Sequence, residues 1–139
     1  SLDFILKQVK EEVEKEDNPE EEVEGDSRTV LKLDPRLAPV QVGVFPLIKK
    51  PELQEIAHKI EKELREDYSV QYDESGSIGK RYRRLDEAGT PFCITVDFET
   101  IEDDNQVTIR YRDDMSQVRI PIEKVGEVIQ KGIKDWKVS

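Results

Sequence analysis

The chain has 139 residues, 39% of them charged and 35% hydrophobic, against about 25% and about 45–50% in ordinary domains, which allows one core plus an appendage and no second core. Its apolar runs all fall short of the roughly 18 residues of a membrane span, and its start, SLDFILKQVK, lacks the basic, apolar and cleavage regions of a secretory signal. A single cysteine, Cys93, and a single histidine, His58, exclude an internal disulfide, a Cys-based zinc cluster and most His-based ligand or proton-transfer sets.

These features predict a protein of the reducing cytoplasm with no membrane partner. The formal net charge is −10, but it is unevenly spread. Residues 1–27 hold three lysines against eleven acidic residues, a net of −8, and residues 28–139 come to −2. Local charge, not the total, therefore decides what the main domain binds.

Leu2, Ile5, Leu6, Val9 and Val13 recur at helical spacing and predict an amphipathic helix over 2–15. The following stretch, EKEDNPEEEVEGDS, is almost without apolar residues and reads as a solvated linker. The stripe on this helix either docks on the main domain or belongs against a partner outside it. The division is thus a helix and linker over 1–27 and a domain over 28–139. RTVLKL (28–33) reads as a short strand-like run ended by Asp34-Pro35, and PVQVGVFPL (39–47) as a buried strand. Pro51 opens a helix whose stripe is Leu53, Ile56, Ala57, Ile60 and Leu64, with His58 off the stripe and exposed.

YSVQYDE (68–74) is a second strand, and SGSIGKRYRRLDEAG (75–89) begins with two glycines and continues as a helix ending at Gly89. PFCITVDF (91–98) has the continuous apolar character of a central strand, with Cys93 as a small buried hydrophobe rather than a nucleophile. QVTIRYRD (106–113) alternates Val107, Ile109 and Tyr111 with Thr108, Arg110 and Arg112, and the polar ETIEDDN before it makes a hairpin. QVRIPI (117–122) is a further short strand. Val125, Val128, Ile129, Ile133 and Trp136 give a last helix, weakened by Gly126 and Gly132. The order β-α-β-α-β-β-β-α predicts an α/β fold of three layers, a mixed five-stranded sheet flanked by helices. Ligands in such sheets favour the carboxyl ends of the strands, which fall here at Asp73-Glu74 and Asp97-Phe98.

Next to those ends lies the one concentrated basic site, Lys80, Arg81, Arg83 and Arg84, with no acid between residues 75 and 84. Ser75, Gly76, Ser77 and Gly79 open its helix, where free N–H groups attract anions. Tyr82 lies inside the run, Phe98 ends the neighbouring strand, and Arg112 sits on the adjacent one. Cations for phosphates and aromatic faces for unpaired bases are what single-stranded RNA requires. The competing reading is a solvated helix face paired with Asp86 and Glu87. The glycines form neither a dinucleotide fingerprint nor a Walker motif. Asp103-Asp104 and Asp113-Asp114 lie in turns without a base beside them, and no catalytic set is present.

LAPVQVGVFPL, DESGSIGKRYRRLDEAGTPFCITVDFET and TIRYRDDMSQVRIPI together resemble the C-terminal anticodon-binding domain of glycyl-tRNA synthetase, over about residues 28–136. GSIGKRYRRLDEAGTPFCITVDF is the most specific stretch. The resemblance implies a module of a class II synthetase that joins glycine to its tRNA with ATP and Mg²⁺ through a catalytic domain preceding this one. On that reading SLDFILKQV is a helix remnant of the catalytic domain, the chain is an excised C-terminal fragment without cofactor or catalytic residue of its own, and the whole enzyme is a homodimer. Its partner is the anticodon loop of a glycine tRNA, which carries cytosine at the second and third anticodon positions. The resemblance implies stacking by Tyr82 and Phe98, donation to bases or phosphate by Lys80 and Arg112, acceptance of an amino group by Glu74, and phosphate contacts by Arg81, Arg83 and Arg84. A second class stays open: a stand-alone interaction protein that keeps the fold without tRNA recognition, like the accessory subunit of mitochondrial DNA polymerase.

Overall fold

A computed structural model describes residues 30–138. The helix expected over 2–15 and the acidic linker lie outside the described residues. The chain from Val42 alternates strand and helix up to β3 and then adds two strands and a helix: β1 (Val42–Pro46), α1 (Pro51–Leu64), β2 (Val70–Tyr72), α2 (Ile78–Ala88), β3 (Phe92–Val96), β4 (Gln106–Tyr111), β5 (Gln117–Pro121) and α3 (Val125–Asp135). The five strands form one sheet in the order β2-β1-β3-β4-β5. β1 is parallel to both β2 and β3, while β4 and β5 are added antiparallel. This is the expected mixed sheet.

Strand alternation sorts the apolar side chains into two layers. Val42 and Val44 of β1, Phe92, Ile94 and Val96 of β3, and Val107 and Ile109 of β4 form the main core with Leu53, Ala57, Ile60 and Leu64 of α1 and Ile129 of α3. On the opposite face Phe45 and Cys93 meet Ile78 and Leu85 of α2 in a much smaller cluster. Gly43 shares that face because a methyl group there would run into Leu85. The helix ends follow their residue chemistry. Pro51 occupies the first turn of α1, where no N–H is needed. Ser77 caps α2 through its hydroxyl, which accepts from the Lys80 amide at 3.3 Å. Gly89 ends α2 in the left-handed conformation, φ 80°.

One predicted element is absent. Residues 30–33 are not a strand, because their main-chain groups bind the end of α2 instead of the sheet. The Leu31 amide donates to the Asp86 carbonyl at 3.0 Å, and the Leu33 carbonyl accepts from Arg112 at 2.7 Å. The polar segment between β3 and β4 is a π-helical turn, Thr100–Asp104, ended by Asn105 at φ 53°. Among the described residues no helix is long and apolar enough to cross a membrane.

The two glycines of α3 have different reasons to be there. A Cβ on Gly132 would lie 2.8 Å from the edge of the buried Phe92 ring, whereas one on Gly126 would meet nothing within 4 Å. Gly126→Ala is therefore expected to stabilise the domain by roughly 0.5–1 kcal/mol through helix propensity. Gly132→Ala is expected to destabilise it by about 1–3 kcal/mol through overpacking. Urea midpoints of the two variants against the parent check both signs.

Candidate nucleic-acid interface

The parallel arrangement of β1, β2 and β3 brings their carboxyl ends to one edge of the sheet. The chain leaving β1 passes through Leu47–Lys50 into α1. That leaving β2 passes through Asp73–Ser77 into α2, and that leaving β3 passes through Asp97 and Phe98 into the π-turn. A buried arginine fastens the first two connections together. Arg81, 3% exposed, donates to the carbonyls of Pro46 at 2.6 Å, Leu47 at 3.2 Å, Gly76 at 3.3 Å and Asp73 at 3.4 Å. It is a strut between loops, not the phosphate ligand expected of it.

Three further expectations are corrected by the geometry. Tyr82 donates or accepts a 2.7 Å hydrogen bond with the Thr95 hydroxyl. Its ring meets Phe45 edge-on at 5.7 Å and carries the Arg110 guanidinium at 4.7 Å. Burial pushes its hydroxyl up to about 12, and one face of the half-buried ring already carries Arg110. Phe98 is 3% exposed in the main core, with the Lys50 ammonium 5.1 Å above its ring, so it offers no platform to a base. Arg112 is 1% exposed and lies at the other end of the sheet. Because β4 runs antiparallel to β3, the residue after its last one sits beside Pro91, before β3 begins. There its guanidinium donates to the Gly89 carbonyl at 2.7 Å and to Asp113 at 2.8 Å, and it joins the 30–33 segment to the end of α2.

The candidates that do reach the strand-end edge are Glu74, Lys80 and Arg84. Lys80 is exposed in the first turn of α2. Arg84, half exposed, pairs with Asp73 at 2.7 Å and donates to the Ser75 carbonyl at 2.9 Å. Burial would raise the Asp73 carboxyl, but hydrogen bonds from Arg84 and Ser75 outweigh it and hold the group below its usual range. Glu74 accepts from Tyr72 at 2.7 Å and from Gln54 at 2.8 Å, and those two bonds lower its pKa. Arg83 is half-buried on α2.

Sequence reasoning missed four participants. Gln54 and Tyr72 hold Glu74, and Arg119 of β5 gathers Asp97 at 2.7 Å, Asp104 at 2.9 Å and the Gln106 carbonyl at 2.9 Å, which shapes the π-turn. The fourth is Arg110. It forms a two-bonded pair with Asp86 at 2.8 and 3.0 Å, with both side chains buried. Asp86 is thus held from β4, and the reading of α2 as a helix face paired with its own solvated acids fails at this residue. Cys93 lies in the same layer, where burial lifts its thiol to about 12. Among the described residues no group of His, Cys, Asp and Glu is placed to hold a metal ion.

Residues 41–132 match the family model described as anticodon binding domain. Over 100 residues the chain is 61% identical to a glycine–tRNA ligase of Corynebacterium efficiens, covering 72% of this chain and 22% of that protein. Over 115 residues it is 56% identical to the glycine–tRNA ligase of Caldanaerobacter subterraneus subsp. tengcongensis, covering 83% of this chain and 24% of the relative. It thus spans about a quarter of the length of the curated relatives it matches. Among solved structures, prolyl-tRNA synthetase from Cryptosporidium parvum bound to halofuginone and AMPPNP superposes with a TM-score of 0.69 and 28% identity, covering 76% of this chain and 23% of that one.

Asp86→Asn leaves the buried Arg110 guanidinium without its counter-charge, and a loss of about 3–5 kcal/mol in urea denaturation is expected. Arg84→Ala removes a half-exposed cation from a carboxylate that keeps its Ser75 hydrogen bonds, and its cost is expected to stay within about 1 kcal/mol. The Cys93 thiol in the native chain is expected to resist iodoacetamide at pH 8 and to react only in denaturant, with mass spectrometry of the two samples as the check.

Proposed function

The chain belongs to the anticodon-binding domain family, and from that premise we propose that it reads the anticodon loop of a glycine tRNA. It would do so as the recognition module of a ligase whose catalytic part lies elsewhere in the protein. The observation that carries this reading is the strand-end edge. A carboxylate that keeps its charge, Glu74, stands there with Lys49 as its neighbouring cation, and the exposed Lys80 lies in the first turn of the helix that follows. An unpaired cytosine presents an amino donor at C4 together with acceptors at N3 and O2. A carboxylate accepts from the first, and a lysine or a backbone amide serves the acceptors and the neighbouring phosphates. The basic side chains left for RNA are fewer than the run 80–84 suggests, since Arg81 is spent inside the fold.

In this reading ATP and Mg²⁺ act in the catalytic part, the whole enzyme works in the cytoplasm as a homodimer, and the 139-residue chain attaches no glycine by itself. Tyr82, Phe98 and Arg112 contribute by holding the domain in shape. Their replacement by alanine lowers stability before it touches recognition.

A binding titration of the chain at low and moderate salt tests the proposal, with the glycine anticodon stem-loop against one whose second and third anticodon bases are adenine. The cytosine loop is expected to bind more tightly. Equal binding of the two would reduce the edge to a non-specific charged surface. Lys80→Ala is expected to weaken both loops alike and to reduce the salt slope by about one.

A further inference from the structure

The acids at the strand-end edge differ in what holds them. Asp73 is paired with Arg84, and Asp97 and Asp104 are paired with Arg119. Glu74 instead takes its two hydrogen bonds from neutral donors, the Gln54 amide and the Tyr72 hydroxyl, and both bonds end on the same oxygen, Oε2. A carboxylate oxygen has two lone-pair sites. Two donors therefore fill Oε2, fix the plane of the group and leave Oε1 with its acceptor capacity, while the charge is offset only through space by the neighbouring Lys49.

The two donors come from different elements, so the carboxylate is held from two directions. Gln54 lies in the first turn of α1, and Tyr72 is the last residue of β2. The Tyr72 ring is itself held, stacked on His58 with centroids 3.9 Å apart and planes 17° from parallel. His58 in turn shares a 3.0 Å hydrogen bond with Glu61, which Arg65 pairs at 2.6 Å. An acid bound for solubility alone has no need of this support. A bonding group must be held in position to discriminate between ligands that differ by a single donor.

We infer that Gln54 and Tyr72 are positioning residues that aim Glu74 Oε1 at the exocyclic amino group of one unpaired cytosine, and thereby set the rejection of uracil at that base. This inference rests on the anticodon reading proposed above. Cytosine and uracil have the same size and differ at C4, where an amino donor is replaced by a carbonyl acceptor. A fixed carboxylate accepts from the first and faces the second as acceptor against acceptor. If the carboxylate is free to turn, it swings away from the carbonyl into water, and the penalty against uracil shrinks.

The test uses the 139-residue chain with stem-loops carrying uracil in place of cytosine at either the second or the third anticodon position. The parent chain is expected to prefer cytosine by roughly tenfold or more at one of the two positions. Tyr72→Phe and Gln54→Leu, each confirmed as folded by its thermal midpoint, are expected to cut that preference severalfold at the same position and leave the other unchanged. Glu74→Gln is expected to abolish or reverse it, because a rotated amide donates to the uracil carbonyl. Equal weakening of cytosine and uracil loops by Tyr72→Phe and Gln54→Leu, with the ratio intact, would make both residues supports of the fold and overturn the inference. So would a parent chain that separates cytosine from adenine but not from uracil, and in either case the anticodon reading stands. A parent chain indifferent to adenine as well overturns both.

Discussion

The seating of α2 on the sheet depends on charge buried where a hydrophobic contact is usual. Among the described residues the apolar layer under this helix is small, four buried side chains against sixteen on the other face. The Asp86–Arg110 pair supplies much of what is missing. Each guanidinium N–H that meets a carboxylate oxygen is satisfied in geometry and in charge, and water is excluded from both partners. A pair of this kind adds little net stability over an apolar replacement, but it tolerates few alternative placements of the helix. Arg81 does the same at the other end of α2, through four carbonyls that only one rotation of the helix brings within reach. The first turn of α2, and with it Lys80, is placed by these two arginines.

Much of the fold is written in local periodicity, and so it is legible without coordinates. The five strands from Val42, their three helices, the Gly89 stop and the hairpin after β3 all follow from apolar spacing and from turn residues. Residues 30–33, the described part of the strand-like run, are not a strand because alternation reports a tendency to extend, not a partner to extend against. Their hydrogen bonds go to the end of α2 and to Arg112, which no local pattern reveals.

The candidate site was less legible, for reasons that differ by residue. Counting charges over 75–84 treats the run as one surface, although a helix divides it. Ile78, Arg81, Tyr82 and Leu85 follow the i, i+3, i+4, i+7 spacing, so Arg81 belongs to the buried stripe and Tyr82 packs half-buried against it. That signal was present in the sequence. Arg112 was also recoverable, since a hairpin obliges the end of β4 to lie beside the start of β3, away from the carboxyl edge. Phe98 was not, because its burial depends on how the chain turns after β3 beneath Lys50. Gln54 and Tyr72 were equally hidden. They are 18 residues apart in sequence, and only the parallel pairing of β2 beside β1 makes them neighbours of one carboxylate.

What results is an edge where attraction is rationed. Arg81 is committed to carbonyls, and Arg84 and Arg119 to carboxylates, so a nucleic acid meets far less free positive charge than the sequence contains. The segment 28–139 carries a net of −2, and the stretch before it −8. A surface with this balance gains little from counterion release, which is the sequence-independent part of nucleic-acid affinity. Selectivity must then come from short-range contacts whose geometry is fixed before the ligand arrives. The restraint of Glu74 by two neutral donors meets that demand, because it fixes the carboxylate without cancelling the charge through which it binds.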